Sequence, residues 1–311
     1  MKKTLIIGPA VLDLAVYVDH LPKSDEEISP RRTVQRIGGA GFSAACLFEL
    51  LNLPYELIAP VGTGVYGDWV RQEAQAHQVA LKIAPQEISG CTYTLIDPQG
   101  NRGMMAVPGA ESVFRAGDLG SVDPDEIGNV LVSAELLEGE GREELLAALQ
   151  AYDGRIFLEL GGRGVLLDET ARSALYALHP TLYLTEEEVG ILTRNQEYAD
   201  LLDAVRSISA GTQAPVVVLM QDGGGLQVEG RQGVSTSAEI HQVADASGVE
   251  ECHAAAYLAS RVCGLSPRQS LRLAGRMAAE VAATDQLVLP LSEAERWRQA
   301  LAAMILEKKP E

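Results

Sequence analysis

"RIGGAGFSAACLFELLNL", residues 36–53, sets Gly38, Gly39 and Gly41 directly before a stretch with the apolar spacing of a helix. Glycine lets the main chain take positive φ and lets another group lie against bare backbone. Alone, a G-G-x-G before a helix fits a tightly packed turn as well as a ligand site. The flanking residues are more informative. Upstream, "TLIIG" (4–8) is a short, wholly apolar run ending in glycine, as a central parallel strand does. Asp13 follows it. Downstream, "YELIAPVG" (55–62) reads as the next buried strand. "YGDWVRQEAQAHQV" (66–79) reads as an amphipathic helix with Trp69, Val70, Ala74 and Val79 inward.

The same alternation runs through the rest of the chain. Apolar strand-like runs at 129–135, 155–160, 181–185 and 215–220 are separated by helical patterns at 142–151, 168–178, 186–192 and 198–209. "GLQVEG" (225–230) reads as a hairpin arm, and helices are expected at 251–263, 266–284 and 292–306. Residues 91–107 break the rhythm: two alternating segments flank "DPQGNR", a turn sequence, and predict a β-hairpin. With 14–20 and 32–37 this hairpin is expected to form a small separate sheet. No repeat or linker interrupts the chain, so residues 1–311 are expected to form a single α/β domain carrying that small sheet.

Acidic side chains outnumber basic ones, 43 to 25, for a formal charge of −18. That balance argues against non-specific binding to nucleic acid or to an anionic membrane, both of which rest on basic patches. Cys46, Cys91, Cys252 and Cys263 form no C-x-x-C pair, so neither a zinc site nor a disulfide framework is expected. Reduced cysteines suit a cytoplasmic protein. The N-terminal "MKKTLIIGPAVLDLAVYVDHLP" imitates a signal peptide, but Pro9 and Asp13 interrupt it and no small-residue cleavage site follows. No window approaches the roughly 18–20 apolar residues of a membrane span.

Gly8 with Asp13, "GGAGFS" (38–43) and "VGTGVYG" (61–67) together resemble the ribokinase-like (PfkB) carbohydrate kinase family. That family has a glycine-then-aspartate first strand, a G-G-x-x-x-N helix start and a V-G-x-D-x-x-G turn. The "DPQGNR" hairpin, "VPGAE", "FLELGGR", "LTEEEVG" and "DASGVEECH" follow in the family's order, so the resemblance spans about residues 3–290. It implies a ribokinase-like three-layer α/β/α sandwich with a mostly parallel sheet and a β lid formed by about 14–37 and 90–107. It implies a sugar or nucleoside held by Asp13, Gly38 and Gly39, with ATP and Mg2+, and a homodimer through the lid. Ser43 stands where the family has asparagine, and Arg102 in the lid turn is a further substrate-side candidate.

The phosphate-facing signature of the family, D-T-x-G-A-G-D, departs here to Asp245-Ala-Ser-Gly-Val-Glu-Glu251. The resemblance puts Glu251 in the general-base position, on a stem one methylene longer, and Gly248, Val249 and Glu250 around an anion hole at a helix start. Glu250 replaces a glycine whose bare backbone would face the phosphate. Ser247-x-x-Glu250 also reads as a capping box, in which the protein's own side chains would satisfy those amides. The family's N-x-x-E, associated with magnesium and phosphate, becomes Thr185-x-x-Glu188, again a capping-box pattern, with Glu188 the metal-side residue. The glycine after the "VVV" strand becomes Gln221, with Gly224 kept; the aspartate of "FLELGGR" is Glu159, with Arg163 kept. His253 is expected to be a packed or partly exposed helix residue rather than a catalyst, and His20, His77, His179 and His241 show no ligand spacing.

Two functions follow from this pattern. One is ATP-dependent phosphorylation of a sugar or nucleoside hydroxyl with Glu251 as base. The other is a catalytically weak or inactive kinase-fold protein that binds such a molecule as sensor or regulatory partner. Substitutions concentrated on the nucleotide side favour the second, and the kept Asp13, Gly38 and Gly39 favour the first.

Overall fold

Alternate residues of the central strands bury into different cores, which sets the layering. In β1 (Lys3–Ile7), Ile6 packs into one apolar cluster while Leu5 and Ile7 pack into another. The same division recurs in β9 (Ile127–Ser133), β10 (Arg155–Glu159), β11 (Thr181–Thr185) and β12 (Val216–Leu219). Strands covered on both faces read as near-continuous apolar runs, and these do. A computed structural model of the chain describes residues 1–120, 122–165, 167–194, 196–237 and 243–307.

These strands join β4 (Tyr55–Ile58), β13 (Gly225–Glu229) and β14 (Gln232–Ser235) in an eight-stranded sheet, ordered β14-β13-β12-β11-β10-β9-β1-β4. It is parallel from β4 to β12, and the two terminal strands add an antiparallel edge. The helices are α1 (Ala40–Leu51), α2 (Gly64–Ala76), α3 (Arg142–Gln150), α4 (Gly161–Gly164), α5 (Glu169–Tyr176), α6 (Glu186–Thr193), α7 (Leu201–Thr212), α8 (Val249–Val262), α9 (Pro267–Ala282) and α10 (Ala294–Leu306). One face of the sheet is covered by α1, α8, α9 and α10, the other by α3, α5, α6 and α7. This is a three-layer α/β/α sandwich. Local chemistry marks several helix starts: Ser266 and Gln269 form a capping box with Pro267 at the first helical position between them, and Asp168 and Asp200 cap α5 and α7.

A second sheet of four strands runs β3 (Arg32–Gly38), β2 (Val11–Tyr17), β7 (Cys91–Ile96), β8 (Arg102–Val107). The expected hairpin is the β7–β8 pair, its turn closed by Asp97, which accepts from the Gln99 and Asn101 amides. Two details differ from the sequence reading. The strand expected at 14–20 lies at 11–17, because its pairing with β3 runs from Gly38 back to Arg32 and ends there. "YELIAPVG" is split: β4 stays in the main sheet, while β5 (Pro60–Thr63) leaves it to pair with β6 (Lys82–Ile88), a strand whose pattern the sequence did not disclose. Residues 238–242, His241 among them, and the Arg163 side chain lie outside the described residues. Among the described residues no helix is long and apolar enough to cross a membrane.

Candidate active site

Ligands of open α/β sheets bind beyond the carboxyl ends of the parallel strands, where neighbouring strands send the chain to opposite faces. Here β1 lies between β4 and β9. Glu159, Thr185 and Gln221 lie at or just past such strand ends, and Asp13 lies within β2 of the second sheet. The second sheet faces this edge. Pairing puts Asp13 opposite Arg36 and Tyr17 opposite Arg32, and Arg102 lies at the start of β8.

Asp13 is buried, 5% exposed, and its oxygens are already engaged. Oδ1 accepts from Thr94 Oγ1 at 2.6 Å, and Oδ2 accepts from Arg36 Nε at 2.9 Å and Nη2 at 2.6 Å. The same guanidinium donates through Nη1 to Asp245 Oδ2 and to the Asp285 carbonyl, the latter at 3.2 Å. Asp245 also accepts from Tyr17 Oη at 3.3 Å and from the Ser247 amide at 2.8 Å. Burial alone would push the Asp245 carboxyl up; the Ser247 and Arg36 bonds outweigh it and hold the group below its ordinary value.

The glycines beside this cluster have packing reasons of their own. A Cβ on Gly38 would sit 2.6 Å from Leu287 Cδ1, and one on Gly39, at φ 95°, would sit 2.5 Å from the Pro9 carbonyl oxygen. Ser43 is buried, 4% exposed, and lines a cavity of about 10 Å3 with Cys46, Leu47, Cys252 and Leu287. It faces the seam between α1 and α8.

The start of α8 departs from the capping-box expectation. The helix begins at Val249, with Gly248 as N-cap in the left-handed conformation at φ 77°, and no side chain caps it. Ser247 is drawn back by Asp245 into a turn, so its hydroxyl does not reach the helix start. Gly248 is required twice over, by its φ and because a Cβ would sit 2.5 Å from the Leu287 carbonyl oxygen. Val249 sends its side chain into the core. From the second sheet, Arg102 Nη1 reaches Ser247 Oγ at 3.4 Å. Glu251 lies in the first turn of α8, and burial raises its carboxyl, partly offset by its own amide and by the charges of Arg102 and Arg36.

Behind Glu251 lies a group of buried carboxyls. Glu159 is 5% exposed and Glu188 3%. The Glu250 carboxyl is held well above its ordinary value, first by burial and then by Glu188, Glu251, Glu159 and Glu135. Its Oε1 is buried without a hydrogen-bond partner. Thr185 and Glu188 do form the expected capping box: the Glu188 amide donates to Thr185 Oγ1 at 3.2 Å, and the Thr185 amide to Glu188 Oε2 at 2.8 Å. The Gln221 amide donates to Glu186 Oε2 at 2.9 Å, and the Gly224 amide to Asp222 Oδ1 at 2.8 Å. Capping of backbone amides by the expected side chains therefore occurs at α6 and after β12, whereas at α8 no N-cap side chain does so and only Glu251 turns onto its own amide. Among the described residues no group of three or more His, Cys, Asp or Glu is placed to hold a metal ion. With Glu188 turned onto its own helix start, these residues do not fit a preassembled magnesium site.

His253 is fully buried, as expected of a packed residue; its Nδ1 and Tyr183 Oη lie 2.8 Å apart, and burial lowers it to about 4. The fold thus gathers Asp13, Asp245, Gly248, Glu251 and Arg102, with Glu188 and Glu250 adjoining. Ser43 points into the α1–α8 seam, and Gln221 and Gly224 belong to the β12 turn. Sequence reading missed Arg36, Tyr17 and Thr94. The available signal was the alternation of Arg32, Val34 and Arg36 ahead of the glycines, but only strand register shows that Arg36 faces Asp13.

Comparison with known proteins agrees with this architecture. Similar chains include a ribokinase of Arabidopsis thaliana, 23% identical over 287 residues, covering 88% of this chain and 74% of the relative. Similar solved structures include adenosine kinase from Sinorhizobium meliloti, at TM-score 0.80 and 18% identity, covering 96% of this chain and 99% of that one. Arabidopsis thaliana ribokinase complexed with ribose and ATP aligns at TM-score 0.77 and 20% identity, with 96% and 99% coverage. The model of the pfkB family of carbohydrate kinases matches residues 1–294, and to that family this chain belongs.

Proposed function

We propose that this protein transfers a phosphoryl group from ATP to a hydroxyl of a sugar or nucleoside, with Glu251 as the general base. The observation that carries this reading is the start of α8. Gly248 leaves it without a side-chain cap, Arg102 stands across from it, and Glu251 lies in its first turn. A helix start offers unpaired N–H groups and the positive end of a dipole to an anion. Glu251 takes the acceptor's proton as the acceptor oxygen bonds to the γ-phosphorus and the bond to the bridging oxygen breaks, releasing ADP. Burial raises the Glu251 carboxyl, which brings a carboxylate base nearer the pH at which it works. Magnesium enters this reading with the triphosphate, since magnesium commonly binds through phosphates, waters and one or two carboxylates. The second sheet is the lid, and its exposed edge residues Met104, Met105 and Val107 on β8 support pairing with a second copy there.

A second reading has its own observation: Glu188 and Glu186 occupy the Thr185 and Gln221 amides, and Glu250 adds a carboxyl beside the anion hole. On that reading the chain binds its small molecule without transferring phosphate. An ADP-release assay over sugars and nucleosides, paired with thermal shift by ATP–Mg2+, separates the two. Under the kinase reading ATP–Mg2+ raises Tm, and Glu251→Gln keeps that rise while losing turnover. A wild-type protein with neither a rise nor ADP release across the panel sinks it.

A further inference from the structure

The Arg36 guanidinium sits between two carboxylates that belong to different parts of the molecule. Asp13 is on β2 of the second sheet, and Asp245 opens the loop before α8. All three are buried: 2% exposed for Arg36, 5% for Asp13 and 4% for Asp245. Arg36 has five N–H donors. Four are used: Nε and Nη2 on Asp13 Oδ2, and Nη1 on Asp245 Oδ2 and the Asp285 carbonyl. Asp13 has about four acceptor sites. Two on Oδ2 take Arg36 and one on Oδ1 takes Thr94. One site remains, which cannot take a pair of hydroxyls in the way a free carboxylate does.

A guanidinium presenting parallel N–H groups to a carboxylate makes the same kind of contact as a polyol presenting adjacent O–H groups, with a full charge added. Leu287 reinforces the closure by standing against Gly38. We propose that Arg36 is the specificity-determining residue of this site: it fills from within the place of an acceptor's hydroxyl pair, so the wild-type chain rejects sugars and nucleosides that need Asp13 to accept a neutral diol and holds its own acceptor through other groups, and shortening Arg36 opens a carboxylate-lined subsite for such diols. From the proposed function it takes only that an acceptor enters beside Asp13, and it concerns binding rather than transfer.

The test is thermal shift without nucleotide, using D-ribose, D-fructose and adenosine as probes. Wild type, Arg36→Ala and the charge-balanced Arg36→Ala/Asp245→Asn are compared, with far-UV circular dichroism to establish folding. The double variant removes one positive and one negative charge, so the cluster keeps the wild-type net charge and gains no further surplus carboxylate, which covers the case where the single variant fails to fold. The expected result is no shift in wild type. A folded variant should show a rise of a few degrees with at least one probe at about a hundredfold its Kd. Methylguanidinium, which refits the emptied slot, should suppress that rise. A folded variant that gains no binding overturns the proposal. So does a wild-type shift abolished by Asp13→Asn, and that arm decides alone if neither variant folds. ATP–Mg2+ binding is read separately: its absence would sink the kinase reading and leave the role of Arg36 standing.

Discussion

Glu250→Gln is expected to stabilise the protein at neutral and mildly alkaline pH. Glu250 Oε1 is buried without a partner, and Glu188, Glu251, Glu159 and Glu135 all oppose a negative charge on it. Its carboxyl therefore titrates in the folded protein above its ordinary value of 4.5. The sign follows. Between 4.5 and the raised folded value the native state binds more protons than the unfolded chain, so stability falls as pH rises through that window. One such group contributes a slope of at most about 1.4 kcal/mol per pH unit. Glutamine carries no charge to desolvate, and its amide can donate to the neighbouring carboxylates. Relief of an unsatisfied buried polar group is worth about 1–3 kcal/mol, so a gain of that size is expected at about pH 8. It should shrink toward zero as pH falls to about 4.5, where the unfolded chain takes up the proton as well. Urea denaturation across this range reads the difference directly, with an unchanged m-value showing that the unfolded state is the same. A variant no more stable than wild type at alkaline pH, or a gain that persists undiminished in acid, would refute the buried-carboxyl argument.

Three further outcomes follow from the site. Ser247→Ala should cost no more than about 0.5 kcal/mol because Ser247 does not cap α8, whereas Thr185→Ala should cost about 1 kcal/mol for its lost cap; chemical denaturation compares them, and the reverse order would restore the capping box at α8. Gly248→Ala should destabilise by about 1–3 kcal/mol through positive φ and contact with the Leu287 backbone, measured by the denaturation midpoint. Glu251→Gln should lower kcat about 10²–10⁴-fold at unchanged ATP–Mg2+ affinity, and an equal loss in both would assign Glu251 to binding instead.

Periodicity alone determined most of the frame. The uniform apolar runs at β1, β9, β10, β11 and β12 predicted strands buried on both faces, and the "DPQGN" turn predicted the β7–β8 hairpin, because local chemistry specifies each. β6 and the break between β4 and β5 were not legible, since both depend on which strand the chain finds as partner. At the site, Thr185 and Glu188 form the capping box their spacing suggests. Ser247 and Glu250 have the same spacing and do not, because Asp245 and Arg36 hold Ser247 back and Leu287 fixes Gly248. Spacing along the chain specifies contacts within one turn of helix. The Asp13–Arg36–Asp245 bridge joins residues up to 232 positions apart, and only packing the second sheet against the α8 loop brings them within hydrogen-bonding distance.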